Sequence, residues 1–344
     1  MILVVGDIHF GINDQYGTFL DYQFNTLNWI YEIAEQNKVT DIVFLGDIFD
    51  KRRNINLRIL DLVYKHFGKV DIPHHLLLGN HDVFYKNRND VNSLSILFKN
   101  ESIYTNVPTE IEIDNSTLLL TPWITSANYD ESVSIIENST ADYMFGHLDL
   151  VGFEMNKGFI SEKSTFNTNI LKKFKRVLSG HYHIYSEQKN ITYLGSVCQL
   201  NWNDYNVDKY IGLLDLESNS LELVKNPFTY YNRLIVKSEA DLDIDFEQYR
   251  DKCVKLYLYV KRSIKIEKMI NSLIEIAAKV FIIDEQVINN TRDINIDVEE
   301  TEEITELWKK YLDETNFTSK DKRYIIKIFT DSYKKLLESP EIEL

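Results

Sequence analysis

The sequence contains few cysteines and no long apolar run. Only two of its 344 residues are cysteines, and Cys198 and Cys253 stand far apart, which predicts reduced structural thiols rather than a disulfide framework. No stretch approaches the roughly 20 apolar residues of a membrane-spanning helix, and the first residues lack the basic and apolar regions of a signal peptide. These absences predict a cytoplasmic protein without a membrane partner.

Basic residues are also in short supply. The chain has 38 lysines and arginines against 53 aspartates and glutamates, which gives a formal net charge of −15. Tight nonspecific binding to DNA needs clustered basic side chains, so the chain is not expected to bind DNA in that way unaided. A nucleic-acid substrate is still compatible with this charge, because bound divalent ions and a partner subunit can supply positive charge.

In five places a short apolar segment ends at a glycine and is followed by polar side chains that bind metals. Such segments are typical of buried strands, and the carboxyl ends of parallel strands lie at the edge of a sheet where ligands bind. Five of the eight histidines occur at these places. The segments are 2–6 before Asp7 and His9, 42–46 before Asp47, 76–79 before Asn80, His81 and Asp82, 143–146 before His147, and 177–180 before His181 and His183.

Each of these residues has a simpler interpretation when it is taken alone. A single histidine at a strand end is usually a hydrogen-bonded structural residue, and an aspartate after a glycine usually forms a turn or caps a helix. Together they would bring oxygen and nitrogen ligands without thiolates to one edge, a set that suits two ions of the manganese, iron or zinc type. The seven candidate ligands are Asp7, His9, Asp47, Asn80, His147, His181 and His183.

The elements between these segments predict a two-sheet α/β fold. Helices near 23–37 and 56–68 alternate with the first three strands, which is typical of βαβ units and a parallel sheet. After a short helix near 91–99, strands follow with fewer helices between them and predict a second sheet packed on the first. These later strands are expected near 110–121, 142–146, 175–180, 190–195 and 210–216.

The pattern changes near residue 226, after which no strand ends in a glycine and a ligand. A small α+β domain is predicted next, and residues 284–306 then hold nine acidic residues and one basic residue, which is typical of a solvated linker. Helices are predicted near 301–313 and 319–338, and the apolar face of the second would dock either on its own domain or on another protein. The predicted domains are 1–228, 229–288, an acidic linker at 289–300 and a helical segment at 301–344.

The five motifs, in this order, resemble those of the calcineurin-like metallophosphoesterases. The matching strings are Asp7-x-His9, Gly46-Asp47, Gly79-Asn80-His81-Asp82, Gly146-His147 and Gly180-His181-x-His183. The longer strings at 6–11 and 46–50 are similar to those of SbcD-type double-strand-break repair nucleases, especially the bacteriophage recombination nucleases. The motifs cover about 1–200, and the later segments resemble more weakly the cap domain and ATPase-binding segment of that branch.

The resemblance implies a role for each motif residue. Two divalent metal ions are implied, with manganese favoured and magnesium as the alternative. The ligands implied for one ion are Asp7, His9, Asp47 and His183, and those implied for the other are Asp47, Asn80, His147 and His181. Asp47 is then the bridge between the ions. His81 would stabilise or protonate the leaving 3′ oxygen, and Asp82 would either orient His81 or only form a turn.

One residue departs from the pattern of that branch. Many cellular members have a histidine directly after the Gly-Asp-x-Phe run, where this chain has Asp50. The change leaves open how the substrate phosphate would be positioned. Lys51, Arg52 and Arg53 follow at once, and they would either hold DNA phosphates or simply be solvated.

The resemblance implies an α/β/β/α sandwich of two sheets with a small α+β cap domain and C-terminal helices. Its implied activities are 3′ to 5′ exonuclease action on duplex DNA and endonuclease action on single strands, by the nuclease subunit of a repair or recombination complex. The implied partners are DNA, an SMC-like ATPase bound through the C-terminal helices, and a second copy of the chain within a heterotetramer. The implied location is the host cytoplasm if a phage encodes the chain.

Two alternatives of other classes stay open at this point. A phosphatase or phosphoesterase of the same superfamily, acting on a small molecule or a protein, would share every metal ligand. A non-catalytic scaffold on the same fold is the other alternative, although a scaffold has no need of all seven ligands together with His81.

Overall fold

The structure, a computed structural model, describes most of the first 284 residues. The described residues are 1–13, 17–67, 69–98, 102–156, 159–161, 166–284, 312, 322, 325 and 326. Among them, no helix is both long enough and apolar enough to cross a membrane. The predicted acidic linker and nearly all of the predicted terminal helices lie outside the described residues, so these two segments stay predictions.

The described chain alternates strands and helices at first and is rich in strands after α3. The helices are α1 (Gly17–Gln36), α2 (Leu57–His66), α3 (Ser93–Leu97), α4 (Tyr129–Asn138) and α5 (Ile264–Ile276). The strands are β1 (Ile2–Val5), β2 (Asp41–Phe44), β3 (His74–Leu77), β4 (Val83–Tyr85), β5 (Arg88–Asn92), β6 (Ser102–Tyr104), β7 (Thr109–Ile113), β8 (Ser116–Thr121), β9 (Tyr143–His147), β10 (Glu154–Asn156), β11 (Phe159–Ile160), β12 (Arg176–Gly180), β13 (Ser186–Gln188), β14 (Ile191–Tyr193), β15 (Tyr210–Asp215), β16 (Ser220–Lys225), β17 (Tyr231–Val236), β18 (Cys253–Leu258) and β19 (Lys279–Asp284).

Two six-stranded sheets make up the larger part of the fold. The strand order is β16-β15-β1-β2-β3-β6 in the first sheet and β13-β14-β12-β9-β8-β7 in the second. Neighbouring strands run parallel from β1 to β6 in the first sheet and from β14 to β8 in the second. The carboxyl ends of these strands therefore lie together at one edge of each sheet.

Both faces of the first sheet are buried. In β1, Ile2 and Val4 pack into a core shared with the second sheet, whereas Leu3 and Val5 pack into a core that includes residues of α1 and α2. A third core, with residues from α4 and the 3-10 helix at 168–173, covers the other face of the second sheet. The layers therefore run α, β, β, α, which confirms the predicted sandwich.

The structure differs from the predicted elements in several places: α1 begins at Gly17 rather than near residue 23, and β4, β5, β10 and β11 have no predicted counterpart. Two other differences have clear local causes. The single strand predicted for 110–121 is a hairpin of β7 and β8. Asp114 and Asn115 turn the chain with φ angles of 48° and 62°, left-handed conformations that these residue types adopt more readily than most. α4 is absent from the predicted elements because only Ser132 and Ile136 are buried along it, too few to make an apolar stripe.

The chain after β16 forms a three-stranded sheet in the order β17-β18-β19, together with α5. These elements are of the α+β type predicted for 229–288. The described chain divides into two compact units, of which the first comprises 1–234, 244–255 and 264–281 and the second includes 235–243 and 256–263. The predicted domain boundaries stay a prediction.

Both cysteines are buried free thiols, as the sequence predicts. Burial raises the pKa of Cys198 to about 12 and that of Cys253 to about 11. Because the reactive form of cysteine is the thiolate, neither side chain is suited to act as a nucleophile near neutral pH.

Candidate metal centre

Three strand ends of the first sheet and two of the second meet at one place. The residues there are Asp7 and His9 after β1, Asp47 after β2, Asn80, His81 and Asp82 after β3, His147 at the end of β9, and His181 and His183 after β12. The structure thus brings all seven candidate ligands together. The other three histidines lie elsewhere, in α2 and at the start of β3.

A first group of ligand atoms lies around His9. Its Nε2 atom is 3.1 Å from Nε2 of His183 and 3.5 Å from Oδ2 of Asp47. Nε2 of His183 lies 3.6 Å from Oδ2 of Asp7. Asp7, His9 and His183 are therefore spaced closely enough to hold one metal ion.

A second group lies around the side-chain oxygen of Asn80. This Oδ1 atom is 2.9 Å from Nε2 of His147 and 2.8 Å from Nδ1 of His181. Nε2 of His147 is also 3.5 Å from Oδ2 of Asp47. The same oxygen of Asp47 lies 3.5 Å from Nε2 of His9 in the first group. Asp47 is thus placed between the two groups, where a bridging ligand is needed.

The two groups fit a pair of divalent cations. Ligand atoms about 2.1 Å from a tetrahedral or octahedral ion lie about 3.0 to 3.4 Å apart, close to the separations in both groups. Asp7 and Asp47 are 0% and 1% exposed, and their described ion pairs are all with histidines. Two buried carboxylates without a lysine or arginine in those pairs leave room for cations to supply positive charge.

Burial and mutual proximity shift the proton affinities of the metal-free cluster. Burial raises the pKa of Asp7 to about 7, and the charge of Asp47 adds to this effect. For His147, burial acts to lower the pKa, but Asp47 outweighs it and the pKa rises to about 9. Burial and the nearby His147 lower the pKa of His181 to about 3. Cations that bind here must therefore displace protons from some of the ligands.

The main chain adopts an uncommon conformation at three of the ligands. The φ angle is 55° at His9, 49° at Asp47 and 89° at His181. Left-handed conformations are unfavourable for residues that carry a side chain, and they persist where the surrounding structure enforces them, often at functional sites. The polypeptide is thus held in a strained form where the ligands converge.

Two of the glycines that precede ligands allow the strand ends to approach closely. A Cβ atom at Gly180 would lie 2.5 Å from Oδ1 of Asp7 and 2.9 Å from the carbonyl oxygen of Leu45. A Cβ atom at Gly79 would overlap both the main chain and the carboxylate of Asp47. The glycine in the sequence pattern therefore has a steric cause, because a larger residue would push the ligands apart.

Main-chain carbonyl groups orient two histidine rings. Nδ1–H of His147 donates to the carbonyl oxygen of Leu45 at 2.8 Å, so in the neutral ring that binds a metal the lone pair lies on Nε2, which faces Asn80 and Asp47. Nδ1–H of His81 donates to the carbonyl oxygen of Asp50 at 2.5 Å. A carbonyl group can only accept a hydrogen bond, so each contact fixes which ring nitrogen carries the proton.

His81 lies beside the ligands, and its main-chain N–H donates to Oδ1 of Asp47 at 2.7 Å. Burial lowers the pKa of the His81 ring. Oδ1 of Asp50 lies 3.4 Å from Nδ1 of His9. The aspartate that departs from the pattern of the cellular nucleases therefore contacts His81 through its main chain and His9 through its side chain.

Asp82 is bonded to the main chain of two loops. Its carboxylate accepts hydrogen bonds from the N–H groups of Gly79 at 3.0 Å, Phe49 at 3.0 Å and Ile48 at 3.3 Å. Burial, with Asp47 nearby, raises the pKa of Asp82 to about 7. These contacts fit the interpretation of Asp82 as a turn residue that joins the loops after β2 and β3, rather than as the partner of the His81 ring.

A buried lysine behind the centre has no counterpart in the sequence motifs. Nζ of Lys209 donates to the carbonyl oxygen of His183 at 2.9 Å, to Oγ of Ser196 at 2.9 Å and to Oδ1 of Asp204 at 2.5 Å. Lys209 and Asp204 are 4% and 3% exposed. Because most lysines are exposed, the sequence gives no reason to expect Lys209 to be buried. Lys209 nevertheless anchors the main chain of the candidate ligand His183.

Trp123 is a second neighbour that the motifs do not reveal. Its ring centroid lies 5.0 Å from that of His181 and 5.8 Å from that of His147. β8 leads to it through Pro122, without the glycine and ligand that mark the other strand ends. The sequence offers one weak signal, an aromatic residue two positions after β8. The parallel neighbour of β8 is β9, which ends at the candidate ligand His147.

The basic loop after Asp50 places one of its three cations partly inside the protein. Arg52 is half-buried, whereas Lys51 and Arg53 are exposed. Burial lowers the pKa of Arg52, and the carboxylate of Asp47 partly offsets that effect. The charge of Arg52 thus lies near enough to Asp47 to interact with it.

Comparisons with known proteins agree with this geometry. Residues 1–211 match the model of a family described as calcineurin-like phosphoesterase. The chain is 28% identical over 284 residues to "Exonuclease subunit 1" of Enterobacteria phage T4, covering 79% of this chain and 82% of that protein. It is 24% identical over 255 residues to a subunit of the SbcCD nuclease of Staphylococcus epidermidis, covering 64% of this chain and 67% of that protein.

A solved structure of an archaeal phosphodiesterase is a further match. It is 12% identical to this chain with a TM-score of 0.34, and the alignment covers 65% of this chain and 99% of the archaeal protein. A phosphoesterase from E. coli matches at 13% identity with a TM-score of 0.31, covering 65% of this chain and 97% of that one.

Proposed function

The chain belongs to the calcineurin-like phosphoesterase family, and from that premise we propose that it is a two-metal DNA phosphodiesterase. It acts as the nuclease subunit of a DNA repair or recombination complex. The observation that carries the proposal is the buried carboxylate of Asp47, one oxygen of which lies 3.5 Å from a histidine nitrogen in each ligand group. A shared anionic ligand between two cation sites is what two-metal phosphoester hydrolysis requires.

The two ligand groups are assigned to two divalent cations. Their members are Asp7, His9, Asp47 and His183 for one ion and Asp47, Asn80, His147 and His181 for the other. Such a pair of ions, when bound, supplies an activated water and neutralises charge that develops on the phosphodiester. Manganese is the proposed metal, and magnesium is the alternative to test against it.

His81 is proposed to act on the leaving 3′ oxygen. Because its Nδ1–H is bonded to Asp50, Nε2 is the ring atom available to the substrate. From that position Nε2 would stabilise the departing oxygen by a hydrogen bond or protonate it.

The names of the relatives support DNA as substrate and a partner subunit. One is called an exonuclease subunit, and the other is named as a subunit of a nuclease. Within this proposal, the chain removes nucleotides 3′ to 5′ from duplex ends, cuts single strands, and works in the cytoplasm. Its partner is an SMC-like ATPase that binds the predicted C-terminal helices, and two copies of the chain join two of the ATPase in a heterotetramer.

The proposal is tested by DNA cleavage with purified full-length chain. A recessed-end duplex and a DNA hairpin are incubated with Mn²⁺, with Mg²⁺ or with EDTA, with and without a candidate ATPase, and products are resolved on denaturing gels. Metal-dependent cleavage of both substrates supports a nuclease. Hydrolysis of a phosphomonoester without cleavage of either DNA would instead identify a phosphatase, and no hydrolysis of any substrate would favour a scaffold.

A further inference from the structure

A cavity of about 150 Å³ opens beside the candidate metal centre, where the chain leaves β8. Aromatic side chains dominate its wall, and His147 is part of it. Its lining residues include Trp123, Tyr129, His147, Leu148, Asp149 and Phe166. Because His147 is also a candidate metal ligand, a group in this cavity would be separated from the centre by the width of one side chain.

The chemistry of the wall suits a flat, uncharged ring. No lysine or arginine occurs among the described residues that line the cavity, so it is not suited to a phosphate group. Asp149 provides a carboxylate that accepts a hydrogen bond from the hydroxyl of Tyr182 at 2.5 Å, and a carboxylate can accept several hydrogen bonds at once. Aromatic walls with such an acceptor suit a heterocycle that carries an N–H group.

Trp123, which forms one wall of the cavity, is anchored through its main chain. The N–H of Trp123 donates to the carbonyl oxygen of Leu78 at 2.7 Å, and its own carbonyl oxygen accepts from Nδ2 of Asn89 at 2.8 Å. Trp123 is therefore fixed to the end of β3 as well as to β8. A surface that is rigid before binding loses little conformational freedom when a ligand stacks on it.

We propose that this cavity binds the nucleobase next to the scissile phosphodiester, an inference that rests on the proposed nuclease function. Bases stack on aromatic side chains whatever their identity, and each such contact is worth about 1 to 3 kcal/mol. In a duplex the base must leave the helical stack before it enters the cavity. The cavity thus selects single strands and frayed duplex ends, with little preference among base sequences.

The test uses two single-stranded oligonucleotides that differ only in their bases. One is intact, and in the other the residues around the cleaved position are abasic, so the phosphodiester backbone is unchanged. With full-length chain and Mn²⁺, kcat/KM should be about 5- to 150-fold higher for the intact strand, which corresponds to about 1 to 3 kcal/mol of base stacking. Trp123→Ala should remove this difference by lowering kcat/KM on the intact strand alone.

Two variants control for indirect effects. Trp123→Phe keeps an aromatic wall and should retain most of the preference for the intact strand. Tyr64→Ala removes an aromatic side chain that is 60% exposed on α2 and should change neither rate. Equal cleavage of both oligonucleotides by the unaltered chain would overturn the proposal, as would a Trp123→Ala variant that loses activity equally on both, because Trp123 would then act through the metal centre.

A binding measurement separates this inference from the nuclease proposal. Deoxyadenosine monophosphate is titrated into the full-length chain and into Trp123→Phe, and tryptophan fluorescence is recorded. Quenching that the Trp123→Phe variant lacks shows a base stacked on Trp123, even if neither oligonucleotide is cleaved and the nuclease proposal has failed. If quenching is the same in both proteins, the cavity does not bind the base.

Discussion

Two buried charged clusters lie side by side in this protein, and they are balanced in opposite ways. Lys209 and Asp204 form an ion pair at 2.5 Å, and the remaining donors of the lysine reach Ser196 and the carbonyl group of His183. The cluster around Asp7 and Asp47 has two buried carboxylates whose described ion pairs are with histidines only.

The difference distinguishes a cluster whose charges pair within the polypeptide from one whose carboxylates are suited to bind cations. The lysine pair is complete within the polypeptide, so breaking it should cost stability. In the ligand cluster, the close approach of buried acidic and basic groups raises the pKa values of Asp7 and His147. We expect bound cations to supply the positive charge that balances its two carboxylates. The predictions below alter one cluster at a time.

The largest effect is expected from the residue between the ligand groups. Asp47→Ala removes the shared carboxylate and should lower DNA hydrolysis by about 10³-fold or more with the fold intact, because the two ions lose the anion that screens them from one another. Mn²⁺ equivalents are measured by equilibrium dialysis and the fold by circular dichroism. Asp208→Ala, an exposed aspartate paired with Lys225, is the control. A variant that binds two equivalents and still cleaves DNA would disprove the bridge.

His81→Ser should separate chemistry from metal binding within the same cluster. Because His81 is assigned to the leaving oxygen and not to an ion, hydrolysis should fall by roughly 10² to 10⁴ while Mn²⁺ stoichiometry and DNA binding are kept. Single-turnover cleavage and equilibrium dialysis provide the two readouts, with His66→Ser on α2 as the matched change. Loss of metal together with activity would instead make His81 a ligand.

Lys209→Met tests the balanced cluster. Removing one partner leaves Asp204 buried with its charge unpaired, so the free energy of unfolding should fall by about 3 to 5 kcal/mol in urea titrations. Lys225→Met breaks the exposed pair with Asp208 and should have a much smaller effect, because solvent screens that pair. Adding Asp204→Asn to Lys209→Met should restore part of the loss. Equal costs for the buried and the exposed lysine would show that the buried pair has no special role.

Metal should stabilise the unbalanced cluster in a pH-dependent way. At a Mn²⁺ concentration 100 times the dissociation constant of each site, the free energy of unfolding should rise by about 2.7 kcal/mol for each ion bound, and EDTA should reverse the gain. The pKa values of Asp7 and His147 are raised to about 7 and about 9, so Mn²⁺ must displace protons from them. Binding should therefore strengthen as the pH rises from 6 to 9, which calorimetry at several pH values can measure. An affinity that is constant over this range would contradict the proton displacement.

The smallest effect on either cluster is expected from truncation after Asn290. The removed segment contains the predicted acidic linker and terminal helices, and neither cluster includes any residue from it. The shortened chain should keep its fold and Mn²⁺-dependent nuclease activity but should not co-purify with the ATPase. If it unfolds, or still co-purifies, the predicted docking segment is assigned wrongly.

The fold, and the convergence of the seven candidate ligands at one place, could be predicted from sequence because local rules create them. A buried strand, a glycine that lets Asp47 and its neighbours approach, and a ligand follow one another along the chain. Lys209 and Trp123 could not be predicted, since their roles come from contacts with residues distant in sequence. The turn at Asp114 and Asn115 is not predicted from the sequence, because the apolar residues on both sides of it fit a single continuous strand.

Each proposed ion would draw ligands from both sheets, since Asp7, Asp47 and Asn80 follow strands of the first and His147 and His183 belong to the second. The apolar core between the sheets is non-directional and opposes their separation more than their sliding. Coordination bonds, in contrast, are short and directed. Loading the ions would therefore join the two sheets at this edge by directed bonds, and chelation would remove that connection.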